Sequence, residues 1–304
     1  MRRSQLIAAV ITIAAAVFLS TTAMSAGSRI VTPKQAASKK ASAPSRQELA
    51  ARQIIDKLLK EYKSVDSMKY DWLAEGMDTF TKDQQKNISG DYKTMSSRQG
   101  VKVEVQDKPK LVRGKYEIKF KKPYLSQMKI IKSDFTPKLI WGTVITYRSD
   151  GDPDVWWAKP KISPIAIKRN VEKDDPAGSI TSNWSIALLY LQYYITNSTM
   201  SLQPDGVADG KECFVVRLNF DWNKRPKWNH KQPPFDDYAL PEPIKKLVWK
   251  EMLKIEKQKF SYIDYYIEKS TYHLIMIEEY IDGKFHWRNT FSKVEVNTVN
   301  TNDF

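Results

Sequence analysis

The alternation of apolar and polar residues along the chain predicts one helix followed by a long series of β-strands. From Gln47 to Tyr62 the apolar positions recur every three or four residues, which is helical spacing. Ser45 precedes this run and Glu48 lies three residues after Ser45, a pattern typical of a helix N-cap. Beyond Val65 the rhythm becomes the two-residue alternation of strands with one apolar and one wet face. The chain is therefore predicted to be mainly β, in the α+β class.

The strand pattern is interrupted once and is clearest near the C-terminus. A short amphipathic helix, capped by Thr181 or Ser182 and presenting Trp184, Leu188, Leu191 and Ile195, is predicted either to cross over the sheet or to cover it. Asp282-Gly283 is a turn pair that favours a tight antiparallel hairpin. The predicted strands are Tyr116–Phe120, Met128–Ile131, Ile140–Tyr147, Val155–Trp157, Cys213–Phe220, Phe260–Glu268, Tyr272–Tyr280 and Lys284–Val296.

The N-terminus carries the features of a secretion signal. Arg2 and Arg3 precede an apolar run from Leu6 to Leu19, which is shorter than the roughly 20 residues that span a bilayer as a helix. Small residues then allow cleavage after Ser25 or after Ala26, and no cysteine stands there to receive an acyl chain. We interpret residues 1–26 as a cleavable signal peptide and expect the protein in the periplasm. An uncleaved membrane anchor is the alternative.

Composition and charge divide the rest of the chain and restrict its partners. Residues 27–45 form a basic linker predicted to be disordered, and residues 46–304 form a single predicted domain. The formal net charge of +14 falls only to +12 when Arg2 and Arg3 are removed. This excess indicates either anionic partners outside the cytoplasm, such as a phospholipid surface, or simple solubility. Nucleic acid is not expected in that compartment.

The residues that carry enzyme chemistry are sparse. His273 and His286 flank the Asp282-Gly283 turn and either approach each other across the hairpin as the start of a metal site or fill ordinary surface positions of the strands, and no third metal ligand is evident. The chain contains no Gly-x-Ser-x-Gly elbow, P-loop or His-Glu-x-x-His segment. Cys213 stands alone in an apolar run and is predicted to be a buried thiol. We therefore predict no enzyme activity, no catalytic residues, no metal and no cofactor.

Aromatic and aliphatic side chains of the strands are the best binding candidates. Trp156 and Trp157 are neighbours on a strand and must face opposite sides of the sheet. Such a cluster either lines an apolar hollow or fills an ordinary core. The candidate lining residues are Tyr116, Ile118, Phe120, Met128, Trp141, Trp156, Trp157, Trp184 and Leu188.

A loop from Trp222 to Lys231 mixes basic residues with two tryptophans, and a basic helix from Pro243 to Lys257 is predicted after it. Tryptophan beside lysine is typical of membrane interfaces. The loop is therefore predicted either to dock on an anionic membrane or a protein partner, or to be an ordinary exposed loop. The docking candidates are Trp222, Lys224, Arg225, Lys227 and Trp228.

Three stretches together carry a resemblance to a known family. They are Tyr116–Tyr124, which ends in a basic residue and proline, Val155–Pro160, an aromatic strand, and Glu279–Lys284, continued by Phe291–Asn297. In this order, with the signal and the two helices, the chain resembles the periplasmic lipoprotein-carrier proteins and the outer-membrane lipoprotein-sorting proteins of the LolA-like superfamily.

The resemblance implies a strongly curved antiparallel sheet, an unclosed β-barrel, with an N-terminal helix and a helical lid. It also implies a carrier, without enzyme activity, that moves acyl chains of lipids or lipoproteins between membranes in an apolar cavity. Inner- or outer-membrane proteins and an anionic membrane surface are the implied partners, and a monomer is expected. The alternative is a periplasmic sensor or scaffold that uses the same fold to bind a membrane protein.

Overall fold

The computed structural model describes residues 45–78, 110–134, 138, 141–171, 181, 183–227, 229–233, 235–238, 240–255 and 259–304. The predicted signal peptide and all but the last residue of the predicted linker lie outside these ranges. Within them, no helix is both long and apolar enough to cross a membrane.

A single antiparallel sheet of eleven strands organises the described chain. Its spatial order is β6-β5-β4-β3-β2-β1-β11-β10-β9-β8-β7, so that β6 and β7 form its two edges and the sheet is open. The predicted mainly β, unclosed architecture is confirmed. The strands are β1 (Ser67–Asp78), β2 (Lys110–Lys121), β3 (Leu125–Ser133), β4 (Val144–Arg148), β5 (Val155–Lys159), β6 (Ile167–Asn170), β7 (Thr199–Ala208), β8 (Lys211–Asn219), β9 (Tyr262–Glu268), β10 (Leu274–Ile281) and β11 (Lys284–Val296).

Pairing between β1 and β11 joins the two halves of the sheet. Met68 lies opposite Val296, and the pairing continues to Gly76 opposite Trp287. On one side of this seam, strands β1 to β6 follow one another outward to one edge of the sheet. On the other side, the spatial order runs from β11 outward to β7 at the other edge. The predicted hairpin at Asp282-Gly283 is confirmed, since both residues have positive φ angles of 51° and 72°, as a tight turn between twisted strands requires.

Three helices accompany the sheet: α1 (Arg46–Ser64), α2 (Trp184–Ile195) and α3 (Glu242–Ile255). Ser45 caps α1 as predicted, because its Oγ accepts a hydrogen bond of 3.1 Å from the backbone N–H of Glu48. The predicted cap of α2 was wrong. Asn183 caps that helix by accepting from the N–H of Ile186, and its amide also donates to the Tyr124 hydroxyl at 2.9 Å. This second bond ties the start of α2 to the sheet.

All three helices pack on one side of the sheet, which we call the inner face. One contiguous core contains residues of α1, α2 and α3 together with alternate residues of the strands. On β1, for example, Tyr70 and Trp72 are buried in this core. The helices therefore cover the apolar face that the strand alternation predicted.

The opposite, outer face is polar and laced with ion pairs. Arg217 of β8 donates two hydrogen bonds of 2.7 Å to the carboxylate of Asp264 on β9. Arg288 of β11 bridges Glu278 of β10 and Glu75 of β1. These pairs lie across neighbouring strands, so they link the sheet on the side away from the helices.

The lone cysteine lies in a small apolar cluster apart from the main core. Cys213 of β8 is fully buried beside Ile275 and Met276 of β10. Burial raises the pKa of its thiol. The predicted buried thiol is confirmed.

Candidate functional site

A pocket of about 460 Å³ lies between α1 and α2, beside the start of β7. This volume falls within the range of about 300–1,000 Å³ that is usual for small-molecule sites. The pocket is lined by Arg52, Ile55, Asp56, Leu59, Gln192, Tyr193, Ile195, Thr196, Met200, Asn229, Lys231, Gln232 and Pro233.

The pocket has an apolar floor and a charged rim. Ile55 and Leu59 stand one helical turn apart on α1, so they share the face that α1 turns toward the core. Met200, at the start of β7, is buried in the same core. Arg52, Asp56 and Lys231 are exposed residues of the lining, two of them cationic and one anionic. Such an arrangement suits an amphipathic ligand, whose apolar part is withdrawn from water and whose charged part stays wet.

The guanidinium of Arg52 is positioned by its own helix. It forms an ion pair of 2.9 Å with Glu48, one turn earlier, and the arginine side chain remains half exposed. An exposed pair of this kind is weak and can be exchanged for another anion at small cost. The rim therefore offers an available cation.

The predicted lining residues do not border this pocket. The structure brings most of them together in the packed core between the sheet and the helices, and Trp141 is half-buried against that core. Trp157 faces the other way, with 42% of its surface exposed on the outer face, while Trp156 is 2% exposed. Those buried in the core are Tyr116, Ile118, Phe120, Met128, Trp156, Trp184 and Leu188.

Trp184 is the centre of this packed region. Its ring stacks on Tyr70 with centroids 6.1 Å apart and meets the edges of His273 at 5.4 Å and Phe291 at 6.3 Å. The indole N–H groups of Trp184 and Trp156 are buried without a hydrogen-bond partner among the described residues. The first residue of α2 thus anchors the helix to β1 and β11 through its ring.

Glu279 places an acidic group on the inner face of β10. It interacts electrostatically with Tyr190 and Tyr194 of α2 and with Tyr265 of β9, whose pKa values rise chiefly by burial. Burial raises the pKa of Glu279 itself from 4.5 to about 7. The carboxyl is therefore largely neutral in mildly acidic solution.

Glu279→Gln should remove a pH dependence of stability. The folded protein keeps the Glu279 proton up to a pH near 7, whereas the unfolded chain releases it near pH 4.5. The free energy of unfolding should thus fall as the pH rises through this window and then level off. At pH 8 the variant should be more stable than the wild type by about 2–3 kcal/mol.

Urea titrations at pH 5 and pH 8 measure this difference. Glu295→Gln, at an exposed position on β11, is the matched control and should show the same change in the free energy of unfolding between pH 5 and pH 8 as the wild type. An equal change with pH in the wild type and in Glu279→Gln would show that the Glu279 carboxyl is solvated.

The two histidines do not approach each other across the hairpin, so the metal-site alternative was wrong. The hairpin pairs Ile281 with Lys284 and Tyr280 with Phe285, which puts His286 near the turn and His273 beyond the far end of β10. Desolvation lowers the pKa of each imidazole. Among the described residues, no three His, Cys, Asp or Glu side chains converge as metal ligands.

One residue of the predicted docking loop, Trp222, packs against the interior of the protein. The indole N–H of Trp222 donates a 2.6 Å hydrogen bond to the carbonyl of Phe260, and its ring stacks on Phe220. Lys224 is exposed and pairs with Asp221 at 2.9 Å. Trp228 and the side chains of Arg225 and Lys227 lie outside what the structure describes. Trp222 therefore anchors the loop, and docking by the remaining residues stays a prediction.

The fold and the pocket define a mainly β protein with one open antiparallel sheet, three helices on its inner face and a pocket between two of those helices. No protein-family model matches the chain. No curated protein matches it either.

Solved structures similar to this chain include the lipoprotein LppX of Mycobacterium tuberculosis, with 11% identity, a TM-score of 0.40, and coverage of 83% of this chain and 98% of that one. A LolA superfamily protein from Nitrosomonas europaea is 9% identical, with a TM-score of 0.30 and coverage of 84% and 96%. In the MucA/MucB complex of Pseudomonas aeruginosa the identity is 7%, the TM-score 0.38 and the coverage 84% and 59%.

A LolA superfamily structure is thus among the matches. This chain spans 59% of the matched chain in the MucA/MucB complex. Identities and TM-scores this low support no conclusion about function.

Proposed function

We propose that the protein is a periplasmic carrier, without enzyme activity, that binds an acyl chain of a lipid or lipoprotein and moves it between membranes. The pocket between α1 and α2, with its apolar floor and charged rim, is the observation that supports this function. The acyl chain lies along Ile55, Leu59 and Met200. The anionic head group of the cargo lies at the rim near Arg52 and Lys231.

The hydrophobic effect supplies enough free energy for such binding. Each methylene group withdrawn from water contributes about 0.8 kcal/mol. Burial of roughly ten methylenes therefore yields about 8 kcal/mol, which corresponds to micromolar affinity before the cost of ordering the ligand. A pocket of about 460 Å³ can enclose part of a long acyl chain without any covalent step.

Release requires that the pocket change shape. Two of its walls belong to separate helices, and the connection near Asn229 forms a further part of the lining. The side chain of Asn197, just after α2, donates to the carbonyl of Asn229 at 3.2 Å and accepts from its N–H at 2.6 Å. A displacement of α2 would thus also move this part of the wall. Such a displacement opens the pocket, and the acyl chain can then pass to an acceptor with a better apolar site.

Leu59→Trp should block acyl binding by filling the pocket. Displacing only two methylenes of the ligand costs about 1.6 kcal/mol, so the affinity for a fluorescent fatty acid should fall at least about tenfold. Fluorescence titration measures this change. Leu49→Trp is the matched control on the same helix, because Leu49 is 48% exposed and lies outside the pocket.

The outcome separates the carrier from the alternative. Tight binding by the wild type and the Leu49 variant, with loss in the Leu59 variant, supports the pocket as the site. Equal affinity in all three proteins places the fatty acid elsewhere and contradicts the proposal. Failure of the wild type to bind any fatty acid, together with stable capture of a membrane protein's extracytoplasmic part, would favour the scaffold function.

A further inference from the structure

The connection between β5 and β6 exposes two isoleucines. Ile162 is 58% exposed and Ile165 is 71% exposed, and both lie in the turn that joins these two paired strands. The turn is held by its own hydrogen bonds: the N–H of Ser163 donates to the carbonyl of Pro160 at 3.1 Å, and the N–H of Ile165 donates to the Ser163 hydroxyl at 3.2 Å. The isoleucines are therefore presented to solvent by a defined backbone.

Basic residues surround these isoleucines. The eleven residues from Lys159 to Arg169 include four lysines or arginines and no acid. Lys159, Lys161 and Lys168 are exposed. Lys168 reaches Asp152 at 3.4 Å, but both side chains are more than half exposed, so this pair leaves the lysine available to other anions.

The exposed Trp157 extends the same surface along the outer face. It lies directly opposite Lys168 in the β5–β6 register. Since side chains alternate along a strand, Lys159 shares the outer face with Trp157. We call this surface the basic tip and define it as Trp157, Lys159, Lys161, Ile162, Ile165 and Lys168.

We propose that the basic tip docks the protein on an anionic phospholipid surface. Protruding aliphatic side chains can enter the boundary between head groups and acyl chains, and tryptophan favours the head-group level. Lysines at that level are attracted to the phosphates of anionic lipids. The net positive charge of the basic tip, with Asp152 beside Lys168 as an acidic neighbour, matches such a surface.

This docking surface does not rest on the proposed cargo. The basic tip belongs to the β6 edge of the strand order, whereas the pocket lies beside β7 at the other edge. A protein that fails to bind fatty acids can still dock by the tip, and the reverse also holds. The two proposals therefore fail separately.

A fluorophore attached at the tip tests the docking directly. Cys213 is fully buried, so Ile162→Cys and Ile165→Cys in the full chain can each be labelled with the polarity-sensitive dye NBD. Vesicles of phosphatidylcholine mixed with phosphatidylglycerol should shift the emission of both labels to the blue. Pure phosphatidylcholine vesicles should leave it unchanged. Val207→Cys, at a 68% exposed position on β7, is the control and should not respond.

Charge variants test the electrostatic part. In the labelled protein, Lys159→Gln with Lys161→Gln should raise the concentration of anionic lipid needed for a half-maximal emission shift by about 10- to 30-fold. Lys60→Gln with Lys284→Gln, a matched pair at exposed positions elsewhere, should change it less than about threefold.

Three results would overturn the proposal. One is unchanged emission of both labels with anionic vesicles. Another is an equal response to vesicles with and without phosphatidylglycerol, because the lysines would then contribute nothing. The third is a response to a protein partner in the absence of any response to vesicles, which would assign the tip to protein recognition.

Discussion

Replacing Trp184 with alanine is expected to lower the free energy of unfolding by about 3–5 kcal/mol. The indole is 1% exposed and packs against Tyr70, His273 and Phe291. Its removal leaves a cavity at the point where α2 meets the seam between β1 and β11, and these strands are paired along their length and cannot collapse freely into the space. Urea denaturation followed by circular dichroism measures the change.

Trp157→Ala is the matched control for this substitution. Trp157 is 42% exposed on the outer face, so its loss should cost less than about 1 kcal/mol. Similar losses for the two variants would mean that α2 is not anchored by its first residue. The packing of the inner face would then need another explanation.

Replacing Arg217 with methionine is expected to lower the free energy of unfolding by about 3–5 kcal/mol. The arginine makes two hydrogen bonds of 2.7 Å to Asp264, whose side chain is only 4% exposed, and its guanidinium lies 3.8 Å from the ring centre of Tyr262. Without the arginine, the Asp264 carboxylate stays buried and loses its counter-charge. The uncompensated charge, more than the lost contact, causes the destabilisation.

Two comparisons identify the cause of this loss. Lys129→Met removes a partner of Glu117 on the same outer face, but that pair is 3.5 Å long and exposed, so the cost should be below about 1 kcal/mol. Combining Arg217→Met with Asp264→Leu should recover much of the stability, since no buried charge remains. A double variant no more stable than Arg217→Met would show that packing on Tyr262 dominates.

Local elements were predictable because their signals are local. The helical spacing and the Ser45 cap located α1 to within two residues at either end. The mid-chain helix was predicted from its apolar spacing, but its predicted cap lay one or two residues before Asn183, which caps α2. Alternation put Trp156 and Trp157 on opposite sides of the sheet without assigning either to the core, and the structure buries Trp156. Each of these features depends on residues within a few positions of one another.

The edges of the sheet were not predicted. β6 is four residues long and follows a proline-rich stretch, so its pattern is too short to show an alternation. β7 carries a proline and a glycine near its middle, at a point where its pairing with β8 shifts register. Such interruptions are tolerated at a sheet edge and obscure the two-residue pattern.

The pocket was missed because it combines residues that are distant in sequence. Ile55 and Leu59 read as an ordinary core stripe of a helix, and Lys231 reads as a loop lysine. Only the packing of α1 and α2 beside β7 brings them to one cavity. Most of the predicted lining residues were instead apolar strand positions that pack in the core under the helices, while Trp184 and Leu188 belong to α2 and Trp157 is exposed on the outer face. The apolar stripe of α1 was the one signal in the sequence that pointed toward the pocket.

Mass spectrometry of organic extracts from protein purified without detergent tests the carrier function most directly. The wild-type protein should release an acyl lipid in near-stoichiometric amount, and Leu59→Trp purified in parallel should release far less. Repeated absence of lipid from the wild type, with no uptake of a fluorescent fatty acid, would contradict a carrier of acyl chains. Equal amounts from both proteins would contradict the pocket between α1 and α2 as its binding site.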